Sequence, residues 1–478
     1  MKVAPRSFLL TLLVSLAGSA LASAQTLSFR HVVVIVQENR TPDNLFQALC
    51  VLPEFCSAKP SALQYNIQTS DWLDKGQPGG VIQPLPVVLA NTYDLNHAHV
   101  SFVAQCDLNA TTRKCAMDGA ATMAASCTGT CLSQPAFRFV DNSSGILDPY
   151  LQLARQYGWA NYMFQTNQGP SFPAHQFIFG GTSAPTAADD AAGIFADSNV
   201  DSTVSVAGCI AAAKATVGLV STLKLADAFT YPCFEHDTLP DVLPASVSWK
   251  YYAAAAGSIW TAPNAIRHIC DPSLPTGGEC VGTEWKNHVD LSSADVLTDI
   301  SKCELSNLSW VTPTGQNSDH AQVNTGGGPA WVASVVNAIG GSTCKNADGT
   351  SYWESTAILI TWDDWGGWYD HEPPTILAEP QGDYQYGFRV PLIVVSAFTP
   401  ARTIDNTRYD FGSMLRFIEH NFGVAEGALR FADERADNSL NGFFDMRLIP
   451  RPFAQITTTK DPNFFINDKT PPTDPDDD

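Results

Sequence analysis

His31-Val-Val-Val-Ile-Val-Gln-Glu-Asn-Arg40 and Thr356-Ala-Ile-Leu-Ile-Thr-Trp-Asp-Asp-Trp-Gly-Gly-Trp-Tyr-Asp-His371 share one design. Each starts as an uninterrupted hydrophobic run and stops on side chains that bind metals. Runs of four to eight β-branched and aliphatic residues read as central parallel strands, buried on both faces. In open α/β sheets, ligand sites form just past the carboxyl ends of such strands. If the two strands are neighbours, Glu38, Asn39, Asp363 and Asp364 converge on one point. Three carboxylates crowd together only where a cation neutralises them. Such oxygen-rich donors suit one hard divalent ion. Calcium, magnesium and manganese fit best, with zinc and iron also compatible.

Around these runs, strand patterns alternate with helical ones. Trp159–Phe164, Ser246–Tyr252, Leu308–Thr312 and Val390–Ser396 read as strands, and Ile146–Tyr157, Trp331–Ile339 and Phe411–Phe422 as helices. That alternation predicts a mixed α/β sandwich. Residues 184–240 are rich in Ala, Ser, Asp, Thr and Gly, and Pro/Gly-punctuated loops continue to 305, so 184–305 is expected to contain cap or insertion segments.

The chain opens with Lys2 and Arg6, an apolar stretch from Phe8 to Leu21 and a small-residue Ala22-Ser-Ala24, the pattern of a secretory leader over 1–24. The apolar stretch is shorter than the ~20 residues a span needs, so no integral membrane segment is expected. The catalytic domain then runs over 25–460, and 461–478 reads as an acidic disordered tail. The net charge of −21 disfavours nucleic acid and anionic membranes as general partners. Twelve cysteines in an exported chain favour up to six disulfides. Cys50/Cys56, Cys106/Cys115, Cys127/Cys131 and Cys270/Cys280 form plausible local loops. A secreted or periplasmic location follows from leader and cysteines together.

A third element, Asn167-Gln-Gly-Pro-Ser-Phe-Pro-Ala-His175, holds Ser171 in a turn stiffened by two prolines. A serine fixed at a strand end beside a metal can lose its proton and attack phosphorus. His97, His99 and His320 follow polar clusters and are candidates to bind phosphoryl oxygens, protonate a leaving oxygen or complete a metal shell. No Gly-x-Ser-x-Gly elbow surrounds Ser171, which argues against a serine-hydrolase triad.

In order along the chain, Glu38-Asn39-Arg40, Asp94-x-x-His97, Gly169-Pro-Ser-x-Pro173, Ser318-Asp-His320, Thr361–His371 and the helix Met414–Gly423 resemble the secreted bacterial phosphoesterases of the non-specific phospholipase C and acid phosphatase type. The resemblance implies an alkaline-phosphatase-like three-layer α/β/α sandwich with disulfide-bearing loop insertions. It implies Glu38, Asn39, Asp363 and Asp364 as metal ligands, Ser171 as nucleophile, and His97 and His320 as catalytic residues at the phosphoryl group. His99 joins the substrate-binding set. The family often has Pro-Asn-Arg after the nucleophile; here Pro173-Ala-His175 places His175 where an oxygen-binding arginine is common. The implied substrate is a phosphate ester or a phospholipid, hydrolysed through a phosphoserine. Trp365, Trp368 and Tyr369 would serve a phospholipase as an apolar rim, or the core as packing. The alternative is a disulfide-braced secreted binding protein whose ion is structural.

Overall fold

The hydrophobic runs become strands because β-branched side chains fit a pleated surface whose two faces are both covered. A computed structural model describes Met1 and residues 28–127, 129–200, 206–221, 228–376 and 386–472. The leader beyond Met1 lies outside the described residues. The principal strands are β1 (His31–Gln37), β2 (Gly158–Phe164), β3 (Trp249–Tyr252), β4 (Val289–Asp290), β5 (Leu308–Val311), β6 (Thr356–Trp362), β7 (Leu392–Val395) and β8 (Thr403–Asp410). The helices that matter here are α1 (His99–Cys106), α2 (Asp148–Gln156), α3 (Ser171–Gly180), α4 (Asp295–Lys302), α5 (Gly328–Gly340), α6 (Phe411–Asn421) and α7 (Pro462–Asn467).

All eight strands join one sheet in the order β4-β3-β5-β1-β6-β7-β2-β8. The two quoted runs, β1 and β6, are parallel neighbours at its centre, and every residue of both is buried. Strand β7 runs antiparallel to both β6 and β2.

The register shows how the layers form. Val34 of β1 is level with Trp310 and Leu359, so these three side chains share one face. There the Trp310 ring meets Phe179 of α3 at 5.0 Å. Trp362 lies an odd number of residues from Leu359 and faces the other way. Its ring is 5.2 Å from Tyr150 of α2. Helices α2 and α3 therefore cover opposite faces, with α5 packed on α2 and α4, and α6 packed on α3. The result is the expected three-layer α/β/α sandwich. Burying a ring such as Phe179 contributes about 1.5–3 kcal/mol.

Only part of 184–305 is inserted. Strands β3 and β4 and helix α4 belong to the sandwich, whereas Ile194–Ala196, Val217–Ser221 and Ala228–Thr230 make a separate antiparallel sheet. All twelve cysteines pair. The four local loops form as expected, joined by Cys209–Cys233 beside the small sheet and Cys303–Cys344. The segment read as a disordered tail from 461 begins instead with α7. Asp461 accepts a hydrogen bond from the Phe464 amide at its start, and Phe465 packs its ring 5.2 Å from Trp331. Burial of Phe465 outweighs the acidic composition that suggested disorder.

Candidate active site and metal centre

Glu38 and Asn39 leave β1 while Asp363 and Asp364 leave β6, so parallel pairing alone carries the four side chains to one end of the sheet. Tight turns bring them together. Asn39 has a φ of 62°, a left-handed conformation that asparagine tolerates better than most residues. Its amide donates to Asp363 Oδ1 at 3.0 Å. Gly366 has a φ of 60°, and a Cβ there would sit 2.4 Å from the Asn39 carbonyl oxygen. Only glycine lets the two turns press together.

Ser171 arrives from a third direction as the first residue of α3. Asn167 Nδ2 and Gln165 Nε2 both donate to the Gly169 carbonyl, fixing the turn before it. After it, the Phe172 amide donates to Asn199 Oδ1 at 3.0 Å. The serine Oγ consequently sits 3.2 Å from Asp364 Oδ2 and 3.4 Å from Asn39 Oδ1. His97 joins this group: its Nε2 is 3.2 Å from Asn39 Nδ2 and 3.8 Å from Asp364 Oδ2. Its Nδ1 faces the Leu95 carbonyl, which orients the ring. The His320 ring lies 6.3 Å from that of His97, steered by Nδ1 against the Ala321 carbonyl.

His175, expected at the substrate, has its Nε2 3.2 Å from Glu38 Oε1 and 3.8 Å from Asp363 Oδ2, so Glu38, His175 and Asp363 converge as a candidate cation seat. Being one helical turn past Ser171 puts it on the same side of α3, aimed at the acids. His99, also expected at the substrate, has its Nδ1 2.9 Å from Asp197 Oδ2 and 3.1 Å from the Gln168 carbonyl. Asp197 in turn abuts Gly169, where a Cβ would lie 2.4 Å from its Oδ1. His99 thus braces the turn before Ser171 through Asp197.

The electrostatics are severe. Glu38, Asp363 and Asp364 are wholly buried. Burial, then the charge of Asp363, pushes both Glu38 and Asp364 well above the ordinary carboxylate range. Burial raises Asp319 to about 6, against the pull of Arg40. Burial also lowers His175 to about 4. Glu38 Oε2 and Asp363 Oδ2 have no hydrogen-bond partner at all. Unpaired buried carboxylate oxygens are costly, and a divalent cation is the partner this donor set fits.

A neighbouring acidic group needs no such ion. Arg389 forks onto both oxygens of Asp370 at 2.8 and 2.9 Å, and His371 Nδ1 lies 2.7 Å from Asp43 Oδ2. His371 is therefore a structural residue that closes the turn. Trp365, Trp368 and Tyr369 are fully buried, which removes them as an apolar rim and makes them packing.

A family model for the phosphoesterases matches residues 29–425. The chain belongs to the Phosphoesterase family. The match takes in every motif described above from Glu38 to the helix α6. Among similar members of known name, a non-hemolytic phospholipase C of Burkholderia pseudomallei is 27% identical over 228 residues, 39% of this chain and 32% of that protein. Phospholipase C A of Mycobacterium tuberculosis is 25% identical over 208 residues, 38% of this chain and 37% of that protein. The matched stretch therefore spans about a third of these relatives' length. Among solved structures, a Vibrio parahaemolyticus protein of the alkaline phosphatase superfamily overlays with a TM-score of 0.30 and 11% identity, covering 58% of this chain and 61% of that one.

Asp197, Asn199, Tyr251 and Trp260 belong to the site but were not legible in its motifs. Asp197-Ser-Asn199 carries residue types that cap helices, the one local hint available. Trp260 lies beside both His175 and His320, with ring centroids 6.5 and 6.0 Å away.

Proposed function

We propose that this phosphoesterase is an exported, metal-dependent hydrolase of phosphoric esters, a phosphomonoesterase or phospholipase C, working through a phosphoserine on Ser171. The observation that carries the reading is the position of one hydroxyl: Ser171 Oγ lies between Asp364 Oδ2 and Asn39 Oδ1, where two strand ends and a helix start meet. The ligands would be Glu38, Asn39, Asp363 and Asp364. A divalent cation held there would offset their charge and ease ionisation of the neighbouring hydroxyl.

The side chains then account for the steps. Ser171 gives up its proton toward Asp364, and its oxygen attacks phosphorus as the ester P–O bond breaks. The leaving alkoxide takes a proton from His97 or His320. Water, giving a proton back to the histidine that protonated the alcohol, next attacks the phosphoserine. The P–Oγ bond breaks, Ser171 Oγ recovers its proton from Asp364, and phosphate or a phosphorylated headgroup departs. The histidines would meet the equatorial phosphoryl oxygens, where charge stabilisation contributes most. Phospholipid is supported as substrate by the names of the relatives, and the six disulfides and leader pattern support export. Nucleic acid is disfavoured by the acidity of the chain. Among the described residues, no helix is long and apolar enough to cross a membrane.

The test is Ser171→Ala, assayed on an aryl phosphate, a phosphodiester and phosphatidylcholine. Turnover should fall by about three orders of magnitude or more, as when other activated nucleophiles are removed. Near-normal turnover on every substrate would refute the assignment.

A further inference from the structure

We propose that His175 is itself a cation ligand, so that Glu38, His175 and Asp363 form a mixed nitrogen–oxygen seat selective for borderline first-row ions such as zinc, cobalt or iron(II) over calcium and magnesium. The proposal deepens the metal-dependent reading above and rests on it.

Tyr251 Oη donates to the Trp260 carbonyl at 2.7 Å, so its proton is committed. His175 Nδ1 lies 3.4 Å from the same Oη and can only donate to it. The Nδ1–H tautomer satisfies this contact and leaves a lone pair on Nε2. That lone pair points at Glu38 Oε1 and Asp363 Oδ2, two more acceptors, at 3.2 and 3.8 Å. Three acceptors face one another in a dry interior. Asp363 Oδ2 has no donor, nor has the second Glu38 oxygen, Oε2. A shared cation resolves this arrangement, and a ligating imidazole normally shows this outward N–H bond on its other nitrogen. Tyr251 fills that outer role.

A neutral imidazole changes which ion is preferred. Calcium and magnesium favour all-oxygen shells, whereas imidazole suits zinc, iron and cobalt. The oxygen ligands alone pointed toward the hard ions; the geometry of α3 shifts the preference.

The experiment uses the full chain stripped of metal and titrated separately with zinc, cobalt, calcium and magnesium, with binding read by calorimetry and elemental analysis. Zinc and cobalt should bind at least on the order of 10–100-fold more tightly than calcium or magnesium. His175→Gln should lower cobalt affinity by at least the roughly 10–100-fold that loss of an outer-shell partner costs, and leave the calcium and magnesium affinities nearly unchanged. Cobalt-loaded wild-type protein supplies a check that does not depend on the variant folding. It should show a paramagnetically shifted, exchangeable imidazole N–H resonance, which persists in His97→Gln. Equal affinity for hard and borderline ions, full cobalt affinity in folded His175→Gln, or absence of that resonance would overturn the role of His175 alone. No binding of any of these cations would overturn this role and the metal-dependent reading together.

Discussion

The carbonyl oxygen of Asn39 lies where a Cβ on Gly366 would need to be, 2.4 Å from that position. This contact locks the turn after β1 to the turn after β6, and so sets the spacing of the acids on both.

Gly366→Ala should therefore damage structure and chemistry together. The added methyl meets backbone, and alanine is strained at a φ of 60°. A loss of about 1–3 kcal/mol is expected from strain of this kind, measured by denaturant unfolding. Cation affinity should fall alongside. A variant as stable as wild type, with unchanged metal binding, would show that the two turns adjust freely.

Removing the cation should destabilise the native state without unfolding it, because the sandwich rests on its core and six disulfides. At free ion about 100 times Kd, binding stabilises the native state by about 2.7 kcal/mol. Chelation should thus lower Tm by several degrees and abolish hydrolysis, with both restored on re-addition. Loss of fold with no hydrolysis in the loaded protein would favour a purely structural ion in a binding protein.

The Arg389–Asp370 fork makes a separate prediction. Arg389 also donates to the carbonyls of Asn66 and Asn161, tying three segments beneath the site. Arg389→Met leaves Asp370 and Asp43 buried without their cation, and breaking such a pair costs about 3–5 kcal/mol. Chemical denaturation would check it; a change below about 1 kcal/mol, the scale of an exposed pair, would contradict the burial argument.

A pH effect on stability should come from His268. Its hydrogen bond to Asp241, more than the opposing partial burial, raises its pKa from 6.5 to about 9, with Glu235 adding to the shift. The folded state holds this proton more tightly than the unfolded state does. Its stabilising contribution is therefore complete below pH 6.5 and is lost as pH rises through about 9. His268→Gln should flatten the fall of Tm across that window relative to wild type. Equal slopes in the two proteins would remove His268 as the cause.

Much of this was readable before any coordinates. The two central strands and the acids at their ends follow from period and composition, since continuous apolar runs have few other places to go; their adjacency was a condition that the register met. The local cysteine loops were readable for the same reason: short separations leave few geometries. Cys209–Cys233 and Cys303–Cys344 were not, because they depend on how an inserted sheet and α4 settle. The tryptophans of the Trp365–Tyr369 turn were ambiguous in one dimension, and became core only once the loop folded back onto Phe102, Phe388 and Trp72. The helix α7 was misjudged because its acidic flanks hid one aromatic, Phe465, with the Trp331 ring to meet.

By itself the sequence determined an α/β chain with acids, an asparagine and a serine held at strand and turn ends, because those features are written in local periodicity and turn chemistry. Only the tertiary structure decided which histidine meets which acid. His175 and Glu38 are 137 positions apart, and they touch because α3 crosses the sheet where β1 ends. His99 was drawn to Asp197 by the inserted segment, whose docking no local pattern encodes. Such partnerships depend on the packing of whole layers, and that is a property of the folded molecule.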